Sequence, residues 1–259
     1  MHTEAATPIP REVPMHAVTK PLPPGTAGTV DTRCAKALAR GLRCKAQAQH
    51  ARAARWLHAA AQRGSACAQF HLGAMHRQGH GVHQDRAAAA HWYARAAEQG
   101  HSRAQASLGL LYKTGQGVPH DPLRAAHWLA AAAAQGHALA QYHLGDLHER
   151  GDGVERNAVA AAQWFDRAAR QDCGPAQYRL GLLYERGHGV PGSRDRAVLW
   201  LRRAAEQGCH LARLRLAQLL RHGAVDADAQ AASWLRRAVD YGDLAPQRPA
   251  SISRSRACT

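Results

Sequence analysis

Residues 94–137 read ARAAEQGHSRAQASLGLLYKTGQGVPHDPLRAAHWLAAAAAQGH. Ala104, Leu108, Leu111 and Tyr112 stand at i, i+4, i+7 and i+8, one face of a helix predicted over about 104–114. Gly115-Gln116-Gly117-Val118 stops that helix, because Gly adopts the left-handed C′ conformation without a steric penalty. Asp121-Pro122 opens a second one: a capping acceptor followed by Pro in the first turn. Gly136 ends it, with Trp128 inside. The stretch is a helix–turn–helix unit.

The unit recurs on both sides. Trp56, Trp92, Trp128, Trp164, Trp200 and Trp234 are spaced 36, 36, 36, 36 and 34 residues apart. Gly73, Gly109, Gly145 and Gly181 keep the same period, and so do two further glycine registers in the turns. The second-helix cap position holds Asp85, Asn157 and Ser193 in the other units, all capping residue types. Gly64, Gly100 and Gly208 end the second helices, with Asp172 the exception. The expected organisation is a Pro-rich leader (1–32), a helical array (33–243) and a basic tail (244–259). The array comprises a cap (33–64), full repeats at 65–100, 101–136, 137–172 and 173–208, and a degenerate unit (209–242). That last unit has Ala217 in place of the first-helix glycine and a turn one residue shorter.

A glycine inside a helix costs about 1 kcal/mol relative to Ala. Four at one register imply close helix–helix approach, with the Trp-bearing helix packed on bare backbone. The six Trp are expected to form a structural ladder, and Trp128→Ala to cost about 3–5 kcal/mol. Composition agrees. Alanine is about a fifth of the 259 residues and aromatics are 5%, too few aromatic and β-branched residues for a sandwich or barrel. No apolar run approaches the ~18–20 residues of a membrane span. No signal peptide is visible at the start, so a cytoplasmic protein is expected.

The repeating pattern A-x-A-Q-x-x-L-G-x-x-Y-x-x-G-x-G-V, followed by D, W and A-A-x-x-G, resembles the Sel-one-like repeat, a relative of the tetratricopeptide repeat. The resemblance covers 65–208 fully, 209–242 partly, and 33–64 at Trp56, Ala60, Ala61 and Gly64. It implies an all-α fold, a right-handed α-solenoid of antiparallel helix pairs, and a role in protein–protein assembly. By analogy with tetratricopeptide repeats, the first helix of each unit lines the concave face. Positions one, four and five after its glycine then face a partner. The charged residues among them are Arg77, Lys113, Asp146, Glu149, Arg150, Glu185, Arg186 and Arg221, a mixture of both signs.

The formal charge of +15 is uneven. Residues 34–64 hold seven Lys or Arg and no acid. Such a stretch suits an acidic partner, nucleic acid or an anionic surface, or simply solvates the end of the array. The six Cys form no CxxC spacing, so metal-ligand patterning is absent and free thiols in a reducing compartment are expected. Family members with a Cys pair in each repeat differ from this chain. His76, His80 and His83 cluster at one turn, and His101 and His137 share a register with Cys173 and Cys209. That slot follows the helix-ending glycine, where polar loop residues are ordinary. No nucleophile elbow, P-loop, HExxH or dinucleotide fingerprint occurs. The expectation is a monomeric, non-enzymatic scaffold or adaptor for a protein or peptide, with no cofactor and no metal. The alternatives are a nucleic-acid or anionic-surface binder acting through the basic cap, and a metal-dependent regulator or hydrolase.

Overall fold

The computed structural model describes residues 32–221, which form eleven α-helices with no strand among the described residues. In chain order they are α1 (Thr32–Ala46), α2 (His50–Gln62), α3 (Ala66–Gln78), α4 (Arg86–Glu98), α5 (Ser102–Thr114) and α6 (Pro122–Ala134). Then come α7 (Ala138–Arg150), α8 (Ala158–Ala169), α9 (Gly174–Arg186), α10 (Arg194–Glu206) and α11 (His210–Arg221). Odd-numbered A helices pack on the even-numbered B helices that follow them, and each B helix also meets the A helix of the next unit. The result is an all-α solenoid. Trp234, the remainder of the last unit and the side chain of Arg221 lie outside the described residues.

The A-helix glycines are where the two helices of a pair touch. A Cβ on Gly109 would lie 2.8 Å from Leu129 and one on Gly145 2.9 Å from Phe165. Tyr93 meets Gly73 and Leu201 meets Gly181 in the same way. The filling residue is therefore the one after each Trp, not the Trp. Leu57, Tyr93, Leu129, Phe165 and Leu201 are fully buried. Among the tryptophans, Trp92 and Trp200 are 9% and 8% exposed, Trp128 and Trp164 are half-buried, and Trp56 is 38% exposed. The Trp residues pack in the hydrophobic clusters instead: Trp92 and Trp200 within them, Trp128 and Trp164 against them. An Arg lies over buried and exposed Trp rings alike: Arg40 over Trp56 at 4.9 Å, Arg95 over Trp92 at 5.2 Å, Arg167 over Trp164 at 4.5 Å and Arg203 over Trp200 at 4.9 Å. Burying one large aliphatic or aromatic side chain yields about 1.5–3 kcal/mol, which exceeds the glycine penalty.

The first helix pair follows the same rule. Gly41 is buried in α1, and its Cβ would lie 2.8 Å from Leu57. So 33–64 is built as a repeat with a shortened A–B connection, matching the pattern at more than the four positions its sequence shows clearly.

Neighbouring units are joined by two devices. The first is a buried glutamine ladder. Gln69, Gln105, Gln141 and Gln177 donate through Nε2 to the carbonyls of Ala61, Ala97, Ala133 and Ala169 at 3.0–3.2 Å. Their Oε1 atoms accept from Gln99, Gln135, Gln171 and Gln207 at 2.7–3.0 Å. Each buried amide is thereby satisfied by the end of the preceding unit's B helix and by the residue that ends the B helix of its own unit. Arg213 replaces the glutamine in α11 and still donates to the Ala205 carbonyl, at 3.2 Å. The second device is the turn. The second turn glycine rests on the start of the preceding B helix, as Gly117 does on Arg86, where a Cβ would come within 2.3 Å of backbone.

The caps form as the sequence predicts. Asp85, Asp121, Asn157 and Ser193 accept from the backbone N–H three residues on. Asp172, the exception at the B-helix end, takes the same left-handed conformation as its glycine counterparts, with φ 57°. His101 and His137 are not ordinary loop residues. Each caps an A helix, its Nδ1 accepting from Ala104 at 3.2 Å and from Ala140 at 3.3 Å. Ser65 does the same for α3, while Cys173 makes no such bond.

Candidate partner-binding surface

Side chains on successive A helices meet in one register. The residue four after the glycine of one unit faces the residue two before the glycine of the next. In the C-terminal part this joins opposite charges. Arg179 of α9 lies 2.7 Å from Glu149 of α7. Arg215 of α11 donates through Nε to Glu185 of α9 at 2.8 Å. Toward the N-terminus the same register joins a cation to a neutral group. Lys45 Nζ is 3.1 Å from His71 Nδ1. Arg77 reaches the Tyr93 hydroxyl, which Ser107 also meets.

Asp146 stands where the two regimes join. It is 5% exposed and takes Lys113 from α5 at 2.6 Å, Arg179 from α9 at 3.1 Å and Arg150 from its own helix at 3.0 Å. Burial pushes its carboxyl up. Lys113, Arg150 and Arg179 outweigh burial and hold it below the usual carboxylate range. The histidines at this register respond oppositely. Burial first, then the Lys45 ammonium, brings His71 from 6.5 to about 4. Burial and Lys113 bring His143 to about 4, with Asp146 opposing. Both imidazoles are neutral at pH 7 and can accept from the adjacent lysine.

The sequence-predicted strip therefore divides. Lys113, Glu149 and Glu185 are half-buried and engaged across unit junctions. Arg77, Arg150 and Arg186 are exposed, Arg150 while bonded to Asp146. Arg221's side chain lies outside the described residues. The inter-unit partners Arg179, Arg215 and His71 escaped the sequence reading. The signal was present: Glu149 to Arg179 and Glu185 to Arg215 are both steps of 30 residues.

The His-rich turn does not assemble a metal centre. His80 stacks on His50 at 5.0 Å between ring centroids, and His80 and His83 are exposed. Among the described residues no group of three or more His, Cys, Asp or Glu side chains is placed to hold a metal. Nor is any helix among them long and apolar enough to cross a membrane.

The Sel1 repeat family matches six times in succession, at 33–65, 68–101, 102–137, 138–173, 174–209 and 210–243. The chain belongs to the Sel1 repeat family. Two solved structures illustrate the likeness. One is c5321, a protective antigen of uropathogenic Escherichia coli strains with an SLR fold: 32% identity, TM-score 0.76, 81% of this chain covered. This chain spans 46% of c5321's length. The other is a Sel1 repeat protein from Oxalobacter formigenes: 32% identity, TM-score 0.73, covering 80% of this chain and 86% of that one. A search of the curated proteins gave no match. Sel1 repeats generally act as protein-interaction scaffolds, and the fold is typically non-enzymatic. The match at 33–65 accords with Gly41 and Leu57: the first helix pair is a Sel1 repeat in its own right.

Proposed function

We propose that this protein is a non-enzymatic scaffold, monomeric and cytoplasmic, that binds a protein or peptide partner along its A-helix strip. One observation carries this reading. The strip is a rigid row in which Asp146, Arg179 and Glu149 are fixed by one another, while Arg77 and Arg186 stand exposed beside them. Such a row presents charge at fixed intervals without reorganisation on binding, which lowers the entropy lost in association. The basic N-terminal stretch gives less support to nucleic-acid binding. Trp56 is the exposed aromatic there, and the Arg40 guanidinium already lies over its ring, leaving little platform for base stacking.

The test is affinity purification from the native cell with wild-type chain and with an Arg77→Glu/Arg186→Glu variant. Proteins identified by mass spectrometry with wild-type should be lost or strongly reduced with the variant, at unchanged helicity. Identical recovery would reject the strip. Lys113 is excluded from this variant, because an acid there would face Asp146 and damage the fold itself.

A further inference from the structure

We propose that the trough between α2, α3 and the turn 79–85 is a docking site for an acidic protein segment that inserts one apolar side chain. The inference rests on the scaffold reading but not on the A-helix strip. The trough encloses about 560 Å³. Ala51, Ala54, Leu72 and Val82 form its apolar lining, and Arg55, His58 and His76 supply the polar groups. Arg55 also lines an adjoining hollow of about 350 Å³ with Arg52, Trp56 and Ala59. The two flank Arg55 side by side along α2 and together present room for an extended segment rather than a lone ion.

Charge selects the occupant. From Thr32 to Gln84 the chain has nine Lys or Arg and no Asp or Glu; the one acid of the turn, Asp85, is engaged as the α4 cap. Arg55 forms no ion pair or hydrogen bond among the described residues, and Arg52 only a 3.4 Å bond to Gln49. The Nδ1 of His76 is shut away from solvent without a hydrogen-bond partner among the described residues. His76 also faces the Asp85 carboxylate, and His58 packs edge-on against Trp92, so Arg55 is the group of this trough left for a charge from outside. At the C-terminal junctions, by contrast, the A-helix cations Arg179 and Arg215 are already paired with Glu149 and Glu185.

The later junctions repeat the backbone but not this chemistry. The place of Arg55 is taken by His91, His127, Gln163 and Leu199. The place of Ala51 is taken by Ala87, Leu123, Val159 and Asp195. Only the first junction combines a guanidinium with a floor of small apolar groups. A phosphate polymer would engage the guanidinium groups and leave that floor unfilled. A segment with carboxylates on either side of an aliphatic or aromatic residue uses both.

The experiment is selection of a random dodecapeptide display library on the full chain, then titration of one enriched, fluorescently labelled peptide. Enriched sequences should place Asp or Glu around an apolar residue. Affinity should fall about tenfold or more in Arg55→Glu and in Ala51→Phe, which fills the trough from an exposed position. Ala87→Phe, the same change one junction on, should bind as wild-type. Circular dichroism checks that each variant folds. Enrichment without acidic–apolar sequences, or wild-type binding by Ala51→Phe, overturns the proposal. So does an oligothymidine probe that binds through Arg55 more tightly than the peptide and ignores Ala51→Phe. The two readings separate in cells. If native partners are recovered equally with Ala51→Phe, the trough fails and the scaffold stands; if wild-type recovers none, the scaffold reading fails.

Discussion

The unit junctions toward the N-terminus and those toward the C-terminus share one backbone arrangement and differ in chemistry. At the first, Lys45 meets a neutral imidazole, His71; at the last two, Glu149 and Glu185 meet Arg179 and Arg215. Asp146 lies between, drawing a cation from each side. What holds a unit to its neighbour is thus shared: the buried glutamine, replaced by Arg213 in α11, and the turn glycine seated on the preceding B helix. The charged register is free to vary. In the C-terminal units its cations are neutralised by acids of the same protein, and at the first two junctions they meet neutral groups.

The largest expected effect should be blind to this difference. Phe165→Ala in the C-terminal half and Tyr93→Ala in the N-terminal half should each cost about 3–5 kcal/mol in denaturant unfolding, and Leu129→Ala about 2–5. Leu129→Ala should exceed Trp128→Ala, since Leu129 is fully buried and Trp128 is not. A larger loss at Trp128 would restore the tryptophan as the core residue.

Proton dependence should separate the halves. His71 and His143 hold folded pKa values of about 4 against 6.5 for a free imidazole. Between those values the unfolded chain binds more protons, so stability falls as pH drops from about 6.5 toward 4. The full loss is on the order of 3 kcal/mol per histidine. His71→Gln and His143→Gln should flatten the stability curve over that window. Unchanged curvature in the double variant would place the pH response elsewhere. Asp146 acts lower: its depressed pKa contributes stability above the unfolded value near 4, lost as pH falls through the folded value. Asp146→Asn should cost about 1–3 kcal/mol at pH 7, because partly buried Lys113 and Arg179 lose their acceptor.

The smallest effect sharpens the repeat itself. Asp172→Gly should stabilise by about 0.5–1 kcal/mol in thermal unfolding, since glycine takes the φ of 57° without strain. A loss instead would assign more weight to the 3.4 Å bond from Gln177 to the Asp172 carboxylate.

The fold was readable because Trp, Gly and capping residues recur at one period, and local rules fix helix ends. Asp121-Pro122 and Gly115 needed no tertiary information. The helix that packs on the glycine was legible but the residue seated on it was not: Trp128 and Leu129 differ by about 100° around the helix, and periodicity alone does not say in which direction the glycine lies. The buried role of Gln105 was invisible for a related reason, since its partners, the Ala97 carbonyl and Gln135, lie in other helices. The candidate strip was half legible. Its positions follow from register, but whether Lys113 or Arg77 is free depends on the next unit, where Asp146 or Ser107 waits.

The central claim is that binding resides where the charge is not already neutralised within the protein. Hydrogen exchange of the full chain, with and without a library-selected acidic peptide at saturation, tests it most directly. Added protection is expected in α2, α3 and the turn 79–85, and none in α9 or α10. Protection confined to α9–α11, with α2 and α3 exchanging as in the free chain, would contradict it.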